Sequence, residues 1–194
     1  MYQHHATRLL HLGTLHTRRL RLEPLEEAHA KALFAGLRHD ALYEFISDRA
    51  PESVEALARR YRQLATRVSP DGRESWLNWA LWLERDSCYV GVIQATVYPN
   101  YAAHLAYVLF HEAWGKGYAR EGSAAIIDYL HDEWGVSDIW AAVDERNRRS
   151  IALLEALGFL RITLRRNAEM IRGVPSGEYV YLLSLDPPSS LFLT

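Results

Sequence analysis

The chain has 194 residues, of which 49% are hydrophobic and 24% charged, and its formal net charge is −2. That composition fits one globular domain, or one domain with short extensions, and excludes a wholly disordered or collagen-like chain. The slight acidic balance weighs against a duplex nucleic-acid binder, which meets phosphate with a basic excess, and the single cysteine, Cys88, cannot form an internal disulfide.

Residues 1–22 hold no acidic side chain and include Arg8, Arg18, Arg19 and Arg21, a bias shared with organellar transit peptides. The alternation Arg19-Leu20-Arg21-Leu22 fits a first strand better. His4, His5, His11 and His16 lack the Cys or acidic partners of a metal site, so no metal is expected, and residues 1–17 are read as an extension of unknown role. Arg19 to Leu25 is expected to be a strand, and Glu26 to Leu37 a helix with Ala28, Ala32, Leu33 and Leu37 as a weak apolar face. Pro51 suits the first turn of a second helix, in which Val54, Leu57, Ala58, Tyr61, Leu64, Ala65 and Val68 recur at helical spacing. Ser69-Pro70-Asp71-Gly72 ends it with turn chemistry.

Strands follow at Asn78 to Leu83, Cys88 to Tyr98 and Ala102 to Phe110. The uncharged stretch Ser87 to His111 contains Gln94, Pro99, Asn100 and His104, which a bilayer core tolerates poorly. Two strands joined at Pro99-Asn100 explain it, and a cytoplasmic location with no membrane partner is expected. Cys88 is read as a small core residue. Tyr118 to Trp134 is a long helix with Ala119, Ile126, Ile127, Leu130 and Trp134 inward, and Asp138 to Val143 is a strand. Asn147 to Leu157 is a helix stopped by Gly158. Phe159 to Arg165 and Glu178 to Leu185 are final strands, joined by a loop that includes Gly173-Val174-Pro175-Ser176-Gly177. The pattern is mixed α/β, with one sheet covered by helices.

The chemistry concentrates after the third of these strands. Trp114-Gly115-Lys116-Gly117-Tyr118-Ala119-Arg120 reads as a glycine turn leading from a strand into a helix. Glycines let the backbone approach a ligand closely, and the helix start offers unpaired N–H groups with the positive end of its dipole. Together these cradle a phosphate or pyrophosphate, and Lys116 and Arg120 add positive charge. A tight turn with no ligand is the plainer reading. The pattern is not Gly-x-x-x-x-Gly-Lys-Ser/Thr, and the dinucleotide fingerprint would need glycine where Arg120 stands. Asn147-Arg148-Arg149-Ser150 opens the next helix, where capping alone would account for Asn147.

Three blocks in order, Trp114-Gly115-Lys116-Gly117-Tyr118-Ala119, then Asn147-x-x-Ser150 with Leu157-Gly158-Phe159, then Ala168-Glu169, resemble the GNAT superfamily of acyl-CoA N-acyltransferases, within it the ribosomal-protein N-terminal acetyltransferase (RimJ/RimL-like) branch. The resemblance covers about Arg18 to Leu185; Trp114 stands where the general turn carries Gln or Arg. It implies a single-domain α/β fold with a mostly antiparallel central sheet flanked by helices, an N-acetyltransferase domain over 18–186, and a tail over 187–194. It further implies acetyl-CoA as co-substrate, with pyrophosphate on the backbone of Gly115, Lys116, Gly117, Tyr118 and Ala119 and with Trp114 and Arg120 beside them. The pantetheine arm would run along Leu109 and Phe110, Asn147 would bond pantetheine or the acceptor region, and Ser150 would sit near the thioester sulfur.

Acetyl transfer needs a deprotonated amine, a donor to the thioester oxyanion, for which an N–H near Leu109 is expected, and a hydroxyl donor to the departing thiolate. Glu169 stands where the branch carries a carboxylate proposed as base. His104, where many relatives have Glu, is a second candidate base; a water chain with no single base is the third reading. The acceptor, a small-molecule amine or a protein N-terminus, is not legible. Trp76, Trp79 and Trp82 read as packed aromatics rather than a pocket, and Glu44, Asp48 and Glu52 as a solvated loop or an attractor for a cationic amine. A non-catalytic acyl-CoA-binding module and transfer of a longer acyl group remain open, as does a homodimer.

Overall fold

The computed structural model describes residues 12–185; His4, His5 and His11 of the extension and the tail 187–194 lie outside the described residues. The expected elements appear in the expected order, with a short added strand β1 (Leu15–His16) before β2 (Leu20–Pro24). β3 (Ser75–Leu83), β4 (Cys88–Val97), β5 (Ala102–Leu109), β6 (Asp138–Asp144), β7 (Leu160–Ile171) and β8 (Val174–Ser184) complete the set. Among the described residues these form one eight-stranded sheet in the order β1-β2-β3-β4-β5-β6-β8-β7. Every neighbouring pair is antiparallel except β5 and β6. Among the described residues no helix is long and apolar enough to cross a membrane.

Among the described residues four α-helical segments cover the two faces: α1 (Ala30–Leu33), α2 (Val54–Leu64), α3 (Tyr118–Trp134) and α4 (Arg148–Ala156). Each face carries its own core. On one, Ile126, Leu130 and Trp134 of α3 and Leu154 of α4 pack with Leu81, Ile93, Leu105, Ile139 and Tyr181. On the other, Leu33, Leu37, Leu42, Leu57 and Tyr61 pack under Ala80. Trp79 is fully buried, and none of Trp76, Trp79 and Trp82 lines the cleft described below.

Several boundaries differ from expectation, each for a local reason. Glu26 to Leu37 is not one helix but a 3-10 turn (Glu27–His29), the single turn α1 and a second 3-10 turn (Gly36–Arg38). Its buried face is Ala30, Leu33 and Leu37, while Ala28 and Ala32 are exposed. Gly36 opens the second 3-10 turn, with the Phe110 ring packed where a Cβ would stand, and glycine is a poor helix former. Pro51 lies ahead of α2, whose cap is Ser53, with its hydroxyl accepting from Ala56 N–H. β3 starts at Ser75, three residues before Asn78, because Glu74 O accepts from Ser69 N–H and closes the preceding turn (2.9 Å).

Cys88 is exposed at the start of β4, not a core residue. The expected loop through Gly173–Gly177 is mostly strand. β7 and β8 meet in a two-residue turn, Arg172-Gly173, with both φ values positive (50° and 79°), the primed-turn geometry that suits the twist of a hairpin. Gly177 lies within β8, its carbonyl accepting from Glu145 N–H (3.0 Å), and a Cβ there would stand 2.7 Å from the Glu145 carboxylate. β7 in turn bulges between Arg165 and Glu169, with Asn167 at φ 50°.

Candidate active site

The parallel pair β5–β6 holds together only over Ala102↔Asp138, Ala103↔Ile139 and His104↔Trp140. Beyond His104 the strands part, and Leu105 to Leu109 face Trp140 to Asp144 across a cleft of about 1260 Å³. Gly91 helps to draw β5 aside. A Cβ there would stand 2.7 Å from the Leu109 Cα, so only glycine lets β4 press so closely on the end of β5. Phe110 N–H donates to Val90 O (2.9 Å). By the alternation of an antiparallel ladder, the backbone groups of Leu109 and Tyr107 then turn away from β4 and into the gap. The Leu109 carbonyl, so turned, accepts from the Trp114 indole Nε1 (2.9 Å), which leaves the Leu109 N–H directed at the cleft.

At the head of the cleft stands the glycine turn. Gly115 and Gly117 sit at φ 71° and 79°, the left-handed region that costs other residues strain, and Gly117 caps α3. The first N–H groups of α3 have no partner within the helix. Trp114 braces the turn: its ring lies under the Arg149 guanidinium (4.2 Å) and against His111 (4.8 Å). Trp114, Gly115, Gly117, Tyr118, Ala119 and Arg120 all line the cleft. Phe110 and Lys116 do not line it. The Phe110 ring fills the space beside Gly36 and its N–H is spent on β4. Lys116 is exposed and its carbonyl faces Arg19 (3.0 Å).

On the opposite wall Asn147 caps α4, its Oδ1 accepting from Ser150 N–H (3.2 Å), so its amide NH₂ is not used by the cap. Ser150 lines the cleft half-buried. Tyr107 reaches toward it, its phenol donating to the Ser150 carbonyl (3.4 Å). Burial pushes that phenol up to about 12, so it holds its proton.

At the far end the cleft is lined by Leu42, Phe45, Ile46 and Asp48 from the loop before α2, by His104, and by Arg165, Glu169 and Glu178 from the late hairpin. The two expected base residues therefore share one chamber. Burial, aided by Arg165, pushes the His104 imidazole below its ordinary value and keeps it neutral. Glu169 is exposed on the β7 bulge. Sequence reading missed Glu178. It faces the same chamber, 3.5 Å from Arg165. Burial, with Glu169 and Asp144 nearby, raises its carboxyl against the pull of Arg165. Its only sequence signal was an acidic residue where a strand runs inward.

Below it Asp144 closes the end of β6. Burial raises its carboxyl, but bonds from Arg146 (2.7 and 2.9 Å) and from Ser176 outweigh this and hold it ionised. Arg172 at the hairpin tip donates to the carbonyls of Asp40 (2.9 Å) and Tyr43 (3.3 Å), tying the hairpin to the loop that roofs the chamber. Among the described residues His39, His111 and Glu112 also bring possible ligand atoms within 4.8 Å. The His39 and His111 rings are stacked 4.2 Å apart, and His39 Nδ1 already accepts from Ala41 N–H.

Residues 19–160 match a family described as Acetyltransferase (GNAT) domain. A Bacillus licheniformis protein named uncharacterized N-acetyltransferase p20 is 26% identical over 174 residues, spanning 89% of this chain and 96% of its own length. The ribosomal protein bS18-alanine N-acetyltransferase of Escherichia coli (strain K12) is 41% identical over 63 residues, 30% of this chain and 43% of that protein. A solved structure of RimL, a ribosomal L7/L12 alpha-N-protein acetyltransferase in complex with coenzyme A, overlays with a TM-score of 0.80. It covers 90% of this chain and 99% of that one at 18% identity, a likeness of fold.

Proposed function

The chain belongs to the GNAT acetyltransferase family, and on that footing we propose that it moves an acetyl group from acetyl-CoA to a primary amine by direct attack. The observation that carries this reading is the parting of β5 from β6 beneath a turn of two left-handed glycines. A negatively charged tail fits the N–H groups of that turn, and a narrow amide-bearing arm fits the gap lined by the Leu109 and Tyr107 backbone.

Acetyl-CoA supplies the activated acyl group as a thioester. Gly115, Gly117, Tyr118 and Ala119, which line the cleft where Lys116 does not, offer backbone N–H groups to the pyrophosphate, with Trp114 and Arg120 framing the turn. Leu109 N–H faces the developing oxyanion. The Asn147 amide donates to the arm or to the acceptor. At the far chamber the acceptor ammonium gives one proton to Glu169 or His104, directly or through water, and the free amine forms the new N–C bond. The base passes that proton to solvent; as the C–S bond breaks, the nitrogen sheds its second proton, which Ser150 relays to the leaving thiolate by giving up its own hydroxyl proton and taking this one in its place. His104 suits the task because it stays neutral. The relatives that act on ribosomal proteins favour a protein N-terminus as acceptor; a small amine is the alternative.

The test is thiol release from acetyl-CoA with a panel of N-terminal peptides and free amines. Release with at least one acceptor, slowed about a hundredfold in Ser150→Ala as loss of a general acid predicts, supports the reading. Tight coenzyme A binding without thiol release for any acceptor would instead identify a non-catalytic acyl-CoA-binding module.

A further inference from the structure

Arg19 lies between β1 and β2, far in sequence from the glycine turn, yet its whole side chain is spent there. Its Nη1 donates to the Lys116 carbonyl (3.0 Å), and its Nε pairs with Glu121 Oε2 (2.6 Å) in the first turn of α3. Its guanidinium lies 4.6 Å from the centre of the Tyr118 ring, and its own backbone N–H holds Glu121 Oε1 (2.7 Å). The Thr17 hydroxyl also donates to that carboxylate (2.7 Å). Its Nη2 stands 3.3 Å from where a Cβ on Gly117 would be, so the guanidinium lies directly against the turn.

We propose that Arg19 is a positioning residue for the donor's pyrophosphate, acting through the Lys116–Gly117 peptide and through Glu121. This rests on the acyl-CoA reading of the turn. The peptide is trans, so its C=O and N–H point in opposite directions. Holding the Lys116 oxygen on the Arg19 side turns the Gly117 N–H toward the cleft that Gly117 lines and Lys116 does not. With two glycines in the turn, that peptide has little else to fix its plane.

The second action is electrostatic. Glu121 sits in the first turn of α3, where an anionic ligand and a carboxylate would compete for the same helix end. Arg19 neutralises the carboxylate and draws it to the strand side. Without Arg19, the turn loses its brace and the ligand meets an unpaired negative charge.

The experiment compares two donors: acetyl-CoA, and S-acetylpantetheine, which lacks the nucleotide and the pyrophosphate. Arg19→Ala should raise the KM for acetyl-CoA about tenfold or more, the scale of a lost charge-assisted bond. Saturating kcat and the kcat/KM for S-acetylpantetheine should stay near wild type. Arg19→Lys, which keeps the charge but cannot fork between Lys116 O and Glu121, should fall between the two. Glu121→Gln should spare acetyl-CoA affinity, which a purely structural ion pair would not. Equal losses with both donors, or no change with either, in Arg19→Ala or in Arg19→Lys should the alanine variant not fold, would overturn the proposal. Failure of the wild-type protein to take up coenzyme A in calorimetry would overturn the acyl-CoA reading itself and this inference with it.

Discussion

At the scale of single residues, Asn147 carries two duties that substitution separates. Its Oδ1 caps α4, and its NH₂ is free of the cap. Asn147→Asp keeps an equally good cap but removes the donor, so it should leave Tm near wild type and lower kcat/KM. Asn147→Ala should lower both, with a stability loss of about 1 kcal/mol. Equal activity in the Asp variant and wild type would reduce Asn147 to a cap. His104 gives a pH signature. Burial holds its folded pKa below the ordinary value, so the unfolded chain takes the proton first as pH falls. The stability linked to it is complete above about pH 6.5 and erodes as pH drops toward the lower folded value. Melting curves of His104→Gln between about pH 7 and pH 5 should therefore slope less steeply than wild type.

At the scale of elements, the turn before α3 and the β7–β8 hairpin do different work. Gly117→Ala forces a side chain into φ 79° beside Arg19. It should cost roughly 1–2 kcal/mol and weaken coenzyme A binding, read by calorimetry on the folded protein. The hairpin governs the other end. Arg172→Ala frees its tip from the Asp40 and Tyr43 carbonyls and should raise KM for the amine severalfold while leaving KM for acetyl-CoA unchanged. A matched rise in both would mean the hairpin supports the whole cleft. The strands and α3 were legible because their apolar periodicity is strong. The hairpin was not, because Pro175, Gly173 and Gly177 read locally as loop. Pro175 lies beyond the last β6 pairing, Asp144↔Glu178, where a missing N–H costs little.

At the scale of the molecule, the sheet separates two cores, and the cleft passes between β5 and β6 from the mouth of the glycine turn to the chamber under the loop before α2. A ligand seated there bridges α3, α4 and the hairpin at once. Coenzyme A at about a hundred times its Kd should therefore stabilise the fold by about 2.7 kcal/mol, seen as a rise in Tm, and Gly117→Ala should shrink that rise at the same ligand concentration.

The order of strands and helices, the turn at Gly115–Gly117 and the Asn147–Ser150 helix start were written in the sequence, because each is a local matter of backbone conformation and apolar spacing. What the tertiary structure alone decided was which distant groups meet: Arg19 against Lys116 and Glu121, Trp114 against Leu109 and Arg149, Glu178 beside Arg165 in the chamber of His104. Charge pairing and burial depend on distance in space, and no spacing along the chain records that a strand near residue 20 lies under a turn near residue 117.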